Sequence, residues 1–319
     1  MNSSRSRPGL IASARQWANR HRVELSTALG GLIAMNLILF AKAYWETDQI
    51  NPTTAGQLGD FVGGYIGTAF VLLSVVLLYR TLQAQRKSAQ LQSFEARYFE
   101  LIRLHRENVA EMRIGEVEGR RVFLPMLREL WAARQIVEDC ARDTEVPLTA
   151  AQKLHISYYC LFFGAGTGSS RMLKASLPGY DAKFLDKLDE NLRDDATRES
   201  VRTSANLAYV PFEGHQSRLG HYYRHLYQTV KYVNLQTLEI DHYEYVKTIR
   251  AQLSTHEQAL LLINSLSPFG ALWWEDGLML KYRMVKNIPQ HFINPTVGID
   301  FQTLFPPRYF EWEEGEGTV

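Results

Sequence analysis

Two long apolar runs near the N-terminus restrict this chain more than any other feature. The first, STALGGLIAMNLILFAKAYW, spans Ser26 to Trp45 and carries one interior charge, Lys42, near enough to its end to snorkel. The second, GDFVGGYIGTAFVLLSVVLLY, spans Gly59 to Tyr79, and its one charge, Asp60, sits at the edge. Each is close to the roughly 20 residues that a helix rising about 1.5 Å per residue needs to cross about 30 Å of hydrocarbon. Buried core helices are the competing interpretation, but core helices seldom stay apolar all round over such a length. The runs therefore predict a transmembrane helix hairpin in the lipid bilayer.

Flanking charge gives the orientation. Arg5, Arg7, Arg15, Arg20 and Arg22 precede the first run against Glu24, and Arg80, Arg86 and Lys87 follow the second. The connecting ETDQINPTTAGQ has acids but no Lys or Arg. The positive-inside bias then places both termini in the cytoplasm and the loop outside. Tyr44, Trp45 and Tyr79 stand where interfacial anchors belong. A signal peptide does not fit the first run, which the basic segment 1–25 precedes. The division is thus a basic N-terminus (1–25), helix one (26–45), an outward loop (46–58), helix two (59–79), a helical extension (80–114) and a helical cytoplasmic domain (115–319). The predicted fold class is all-α.

Gly59, Gly63 and Gly67 recur every four residues on one side of the second helix, where another backbone can approach. Two partners fit this stripe: the small residues Gly30, Gly31 and Ala34 of the first run, or further copies of the chain.

Composition limits the rest. Lys plus Arg number 35 against 34 Asp plus Glu, a formal charge of +1, so no global field draws the chain to nucleic acid. A mean hydropathy of −0.22 excludes a polytopic transporter. Two cysteines, Cys140 and Cys160, argue against a disulfide scaffold and fit structural burial in a reducing compartment.

From Thr68 to Ile114 there is no glycine or proline, which predicts one helix continuing past the membrane until Gly115 and Gly119 stop it. Phe94, Tyr98, Leu101, His105, Val109 and Met112 give it an apolar face. Val122, Phe123, Met126, Leu127, Leu130, Trp131, Val137 and Cys140 mark another helix. Thr149 is placed to cap one carrying Leu154, Tyr158, Leu161 and Phe162, and Phe184, Leu185, Leu188 and Leu192 mark a charged surface helix. Ser254 and Glu257 fit a capping box before ALLLINSL. No period-two alternation predicts a sheet. Beyond Asn287, prolines interrupt an aromatic tail (Phe292, Phe301, Phe305, Tyr309, Phe310, Trp312) that is expected to pack across the domain, leaving the acidic end EWEEGEGTV free.

The cluster Gly164-Ala165-Gly166-Thr167-Gly168 lacks the Lys and Ser/Thr of a phosphate loop and misses the dinucleotide-binding spacing, so it reads as a helix stop and loop. The densest polar segment runs from His215 to Lys231. Wound as a helix, Leu219, Tyr222, Tyr223, Leu226, Val230 and Val233 share one face, and Arg218, His221, Arg224, His225, Gln228 and Lys231 the other. That polar face contains no acid and would suit an anionic partner, or it is simply solvated. His221 and His225 are spaced like zinc ligands, but no Glu follows the first and no third ligand is evident, so neither a metal nor another cofactor is expected. There is no Gly-x-Ser-x-Gly elbow, and no small-molecule substrate is predicted.

Arg218 and His225, with six residues between them, resemble the arginine–histidine signature of HEPN-type ribonucleases, in which the pair would stabilise charge and move a proton. RYFELIRLHRENV (Arg97 to Val109), GHQSRLGHYYRHLYQTVKYV (Gly214 to Val233) and YVKTIRAQLSTHEQALLLIN (Tyr245 to Asn264) together resemble the putative phage abortive infection family. His-Tyr-Tyr-Arg-His-Leu-Tyr is the most specific part. The two-span layout is also similar to the transmembrane effector encoded beside some bacterial retrons. The resemblance implies antiviral defence by host death or arrest at the inner membrane. It also implies restraint by a neighbouring sensor, such as a reverse transcriptase with its multicopy single-stranded DNA. It supplies no catalytic residues. A non-enzymatic membrane effector is the leading expectation, a tethered ribonuclease using Arg218 and His225 the second, and a scaffold binding an anionic partner the third.

Overall fold

The computed structural model describes residues 52–166, 168–292 and 301–314, together with Arg22, Val23, Ser26, Thr27, Gly30, Gly31, Ile33 and Ala34. Those eight are helical, while the remainder of the first apolar run and residues 46–51 of the loop lie outside the described residues. The chain divides into two units, Met1–Ala89 and Gln90–Val319.

In the first unit, α1 (Pro52–Phe61) starts before the expected boundary at Gly59, with proline at its first position, where the missing N–H costs nothing. A π-helical turn, Val62–Ile66, leads into α2 (Gly67–Ala110). Among the described residues this is the one stretch long and apolar enough to cross a membrane. Phe70, Val71, Leu72, Val75, Val76, Leu78 and Tyr79 are all exposed. At about 100° per residue they cover about two-thirds of the circumference, and half-buried Leu73 and Leu77 lie on the remaining side. Its hydroxyls turn inward: Thr68 donates to the Gly64 carbonyl, Ser74 to Phe70 at 2.8 Å and Thr81 to Leu77 at 2.9 Å. Such back-bonding hides polar atoms from an apolar surrounding. Gly30, Gly31 and Ala34 line a crevice with Tyr65, Ala69 and Phe70, and a Cβ on Gly31 would stand 2.8 Å from Phe70 Cζ. A Cβ on Gly59, Gly63 or Gly67 would meet nothing within 4 Å.

In the second unit α2 buries Phe94, Tyr98, Ile102, His105 and Val109. Ile102 replaces the expected Leu101, which is half-buried. The helix ends at Ala110, and Arg113–Ile114 pairs with Val117–Glu118 in a two-residue antiparallel ladder around Gly115. This corrects the expectation of no sheet. So short a ladder leaves no periodicity to detect.

The rest is helical: α3 (Phe123–Asp143), α4 (Ala150–Phe163), α5 (Ser169–Ala175), α6 (Ala182–Arg193), α7 (Asp195–Ser204), α8 (Gln216–Asn234), α9 (His242–Arg250), α10 (Thr255–Ser265), and the short α11 (Leu272–Glu275) and α12 (Leu278–Lys281). Helix α3 packs against α4, α6 and α10. Their core includes Phe123, Met126, Leu130, Tyr158, Leu161 and Leu260, joined by Leu226 of α8. The predicted capping box forms, with Glu257 N–H donating to Ser254 Oγ at 3.3 Å, and the predicted cap Thr149 proves to be part of a second one, with Gln152 N–H donating to Thr149 Oγ1 at 3.2 Å. Both cysteines are buried and free. The aromatic tail packs as expected, with Phe301, Tyr309 and Phe310 buried and the Tyr309 hydroxyl donating to the Met279 carbonyl at 2.8 Å. Its acidic end is not free where it is described, which corrects the expectation: Asn287 Nδ2 donates to Glu311 Oε2 at 2.6 Å and Trp312 Nε1 to the Ile288 carbonyl at 3.2 Å, and residues 315–319 lie outside the described residues.

Candidate functional site

The polar face read from the sequence lies on α8, and two contacts fix how that helix starts. Gly164 ends α4 with φ 74° and Gly214 precedes α8 with φ 88°, values that favour glycine. Their backbones cross so closely that Ala165 N–H reaches the Phe212 carbonyl at 2.7 Å. Beneath the crossing Glu129, fully buried in α3, accepts from Phe212 N–H and the Tyr209 hydroxyl at 2.7 Å each. It also meets His215 Nε2 at 2.9 Å. Burial and the adjacent carboxylate push the Tyr209 hydroxyl well above its ordinary range.

The apolar face of α8 is as expected: Leu219, Tyr222, Tyr223, Leu226, Val230 and Val233 are all buried. The polar face divides into three environments. At the N-terminal end, Arg218 Nε donates to the Arg113 carbonyl at 2.7 Å. A groove of about 280 Å3 opens there, lined by Asn108, Glu111, Arg113, Ser217, Arg218 and His221. His221 and Arg224 are exposed.

In the middle, His225 is half-buried and its ring stacks on that of His105, with centroids 6.1 Å apart and planes 18° apart. All four ring nitrogens of this pair are buried without a hydrogen-bond partner. Beside them the Tyr222 hydroxyl donates to Glu257 Oε1 at 3.1 Å, and Arg120 Nε lies 3.6 Å from Glu257 Oε2. At the C-terminal end Lys231 is neutralised: Nζ lies 2.9 Å from Asp276 Oδ2 and 3.0 Å from the Tyr227 hydroxyl. Hydrogen bonds to Tyr227 and Asp276 hold the Lys231 ammonium above its ordinary range.

Arg218 and His225 therefore occupy different settings, two turns or about 10 Å of helical rise apart. One is tied to the Arg113 carbonyl and the other faces His105. Sequence reasoning missed Arg113, Arg120 and Asp276, which come from other elements. His105 did leave a signal, as a polar residue on an otherwise apolar stripe. Among the described residues no group of three or more His, Cys, Asp or Glu could hold a metal ion.

Burial, then His225 and Arg120, push His105 down to about 4, and burial also lowers His225. The unfolded chain takes up these protons near pH 6.5, whereas the folded chain resists them. The stabilisation is therefore complete above about pH 6.5 and is lost as pH falls toward 4, by about 3 kcal/mol for His105. Urea unfolding followed by tryptophan fluorescence should show a smaller loss between pH 7 and pH 5 for His105→Phe than for wild type. Equal losses would remove the pair from the acid response.

Residues 214–293, about a quarter of the chain and including α8 to α12, match the family model described as putative phage abortive infection protein. The match contains the Gly214 to Val233 and Tyr245 to Asn264 segments but not Arg97 to Val109. No curated protein and no solved structure matches the chain. Over residues 214–293, which hold the whole of α8, the chain is thus similar to the putative phage abortive infection protein family.

Proposed function

We propose that this chain is an anti-phage effector anchored in the bacterial inner membrane, which aborts infection by disrupting that membrane when released from restraint. The family match supports the defence role. The observation that carries the membrane part is the broad exposed apolar surface of α2, since such a surface has no stable place in water. In this reading the runs 26–45 and 59–79 form the two-span hairpin, both termini are cytoplasmic, and residues 115–319 form the cytoplasmic domain. A retron reverse transcriptase with its multicopy DNA is the restraint the reading favours.

Disruption requires a membrane element with two states of similar free energy, biased by contacts outside the lipid. Gly59, Gly63 and Gly67, open along one side, offer the surface on which several copies would associate. Cells carrying the protein should take up a membrane-impermeant dye after infection while their RNA is still intact. Gly63→Ile should abolish dye entry and protection while the protein stays in the membrane fraction. RNA fragments that precede depolarisation, and vanish with Arg218→Ala or His225→Ala, would replace this mechanism with the ribonuclease.

A further inference from the structure

We infer that the stretch of α2 beyond the apolar run pairs with the same stretch of a second copy of this chain, as a parallel coiled coil in register. The inference rests on the membrane reading above, which gives every copy the same orientation.

Along α2 one line of exposed residues runs through Leu82, Gln85, Ala89, Gln92, Ala96 and Phe99. Its steps alternate between three and four, the 3.5-residue period of a seam between two helices. At about 100° per residue the line continues the face of Gly67, the last of the stripe glycines, and so joins the surface already proposed for association. Phe94, Tyr98 and Ile102, by which α2 enters the core, lie on the opposite side. The chain's own core therefore leaves the line uncovered, with Leu82 and Phe99 43 % and 60 % exposed. Every residue from Leu78 to Ser93 is exposed, so this stretch gains little of the tertiary packing that supplies most helix stability. The seam stops after Phe99. Arg103 and Arg106 take the next two positions, the first paired with Glu100 and Glu107 and the second bonded to Gln252.

The two glutamines select the partner. An apolar groove on another protein would bury their amides with nothing to bond, at the cost of an unsatisfied polar group. A second copy in register sets Gln85 on Gln85 and Gln92 on Gln92, and each side-chain amide both donates and accepts. Polar layers in such a seam fix register at a cost in stability. Flanking charge does not oppose the pairing: the positions beside the seam are Thr81, Arg86, Ser88 and Ser93, and across a parallel pair Arg86 meets Thr81. Two leucine-sized layers, two alanines and two amides make a weak seam. Copies tethered in one membrane supply the effective concentration it needs, so pairing follows release rather than preceding it.

The test is disulfide trapping of the full-length protein in the membranes of infected cells, with dye uptake followed in the same cultures. Cys140 and Cys160 are buried and give little background. Facing positions across the seam come close enough for a disulfide, whose Cα atoms stand about 4.4–6.8 Å apart. Ala89→Cys should therefore yield a covalent dimer under mild oxidation after infection. Ala84→Cys, equally exposed but outside the seam, should yield at least about tenfold less. In the Ala89→Cys background, Gln85→Glu with Gln92→Glu would bury like charges and should cut the dimer by about tenfold or more. Gln85→Leu with Gln92→Leu should raise it severalfold and produce it without phage. All these side chains are exposed, so each variant keeps the fold of the chain itself. The inference is overturned if Ala89→Cys gives no dimer, if Ala84→Cys gives as much, or if the two glutamates leave the dimer unchanged. Dye entry without the dimer removes the seam and keeps membrane disruption, whereas the dimer without dye entry keeps the seam and removes membrane disruption.

Discussion

Replacing Gly214 with alanine should leave almost no folded second unit, a loss of about 4 kcal/mol or more. The new Cβ would stand 2.2 Å from the Phe163 carbonyl oxygen and 2.5 Å from its carbon. Both are backbone atoms at the end of a packed helix, so no rotamer change relieves the overlap. Its φ of 88° adds strain for any residue with a side chain. Moving α8 away would break the Ala165 to Phe212 bond and draw Phe212, Tyr209 and His215 off the buried Glu129 carboxylate. An uncompensated buried charge alone costs about 3–5 kcal/mol. Gly168 provides the control, because a Cβ there meets nothing within 4 Å and its φ is −111°. Gly168→Ala should melt within a few degrees of wild type. A Gly214→Ala protein that is soluble and melts like wild type would show that the two backbones do not cross this tightly.

The same crossing shows what the sequence could and could not disclose. The cluster from Gly164 to Gly168 reads correctly as a helix stop, because glycine's left-handed freedom is a local property. That Gly164 must also admit Gly214 is a pairing across fifty residues, which no local spacing encodes. Helix α8 divides in the same way. Its apolar face was legible because burial follows the 3.6-residue period. Its polar face was not, since the partners that give each residue its character arrive from elsewhere. Arg113 supplies the carbonyl for Arg218, His105 covers His225, and Asp276 neutralises Lys231. The absence of acid from the face was true of the helix and untrue of its surroundings. The Ser254 and Glu257 capping box was readable in full, because cap and partner lie within one turn, whereas at Thr149 the cap was read without its partner Gln152. Leu101 gave way to Ile102 because adjacent positions at the edge of an apolar stripe differ only by a small rotation, which packing decides.

Introducing two aspartates, Leu72→Asp with Val76→Asp, should release the chain from membranes and abolish phage protection. The two positions lie one turn apart in the second half of the second apolar run. A charge at the centre of a spanning helix opposes insertion by about 2.5–3.5 kcal/mol and one nearer the end by less, so together they cost at most roughly 5–7 kcal/mol. The alternative origin of this helix, an apolar rod that assembles with other copies in water, gives the opposite result. Leu72 and Val76 are 69 % and 46 % exposed, so neither substitution removes packing within the chain. Aspartate costs the helix itself only about 0.7 kcal/mol per site. In water the doubly substituted protein would therefore be the better behaved of the two, more soluble and less associated. Alkaline extraction of membranes separates the cases: wild-type protein should resist it and the double variant should not. Wild-type protein that washes off with carbonate, or a double variant that stays embedded and still protects, would take the lipid out of the mechanism and leave the exposed apolar surface to be buried against protein instead.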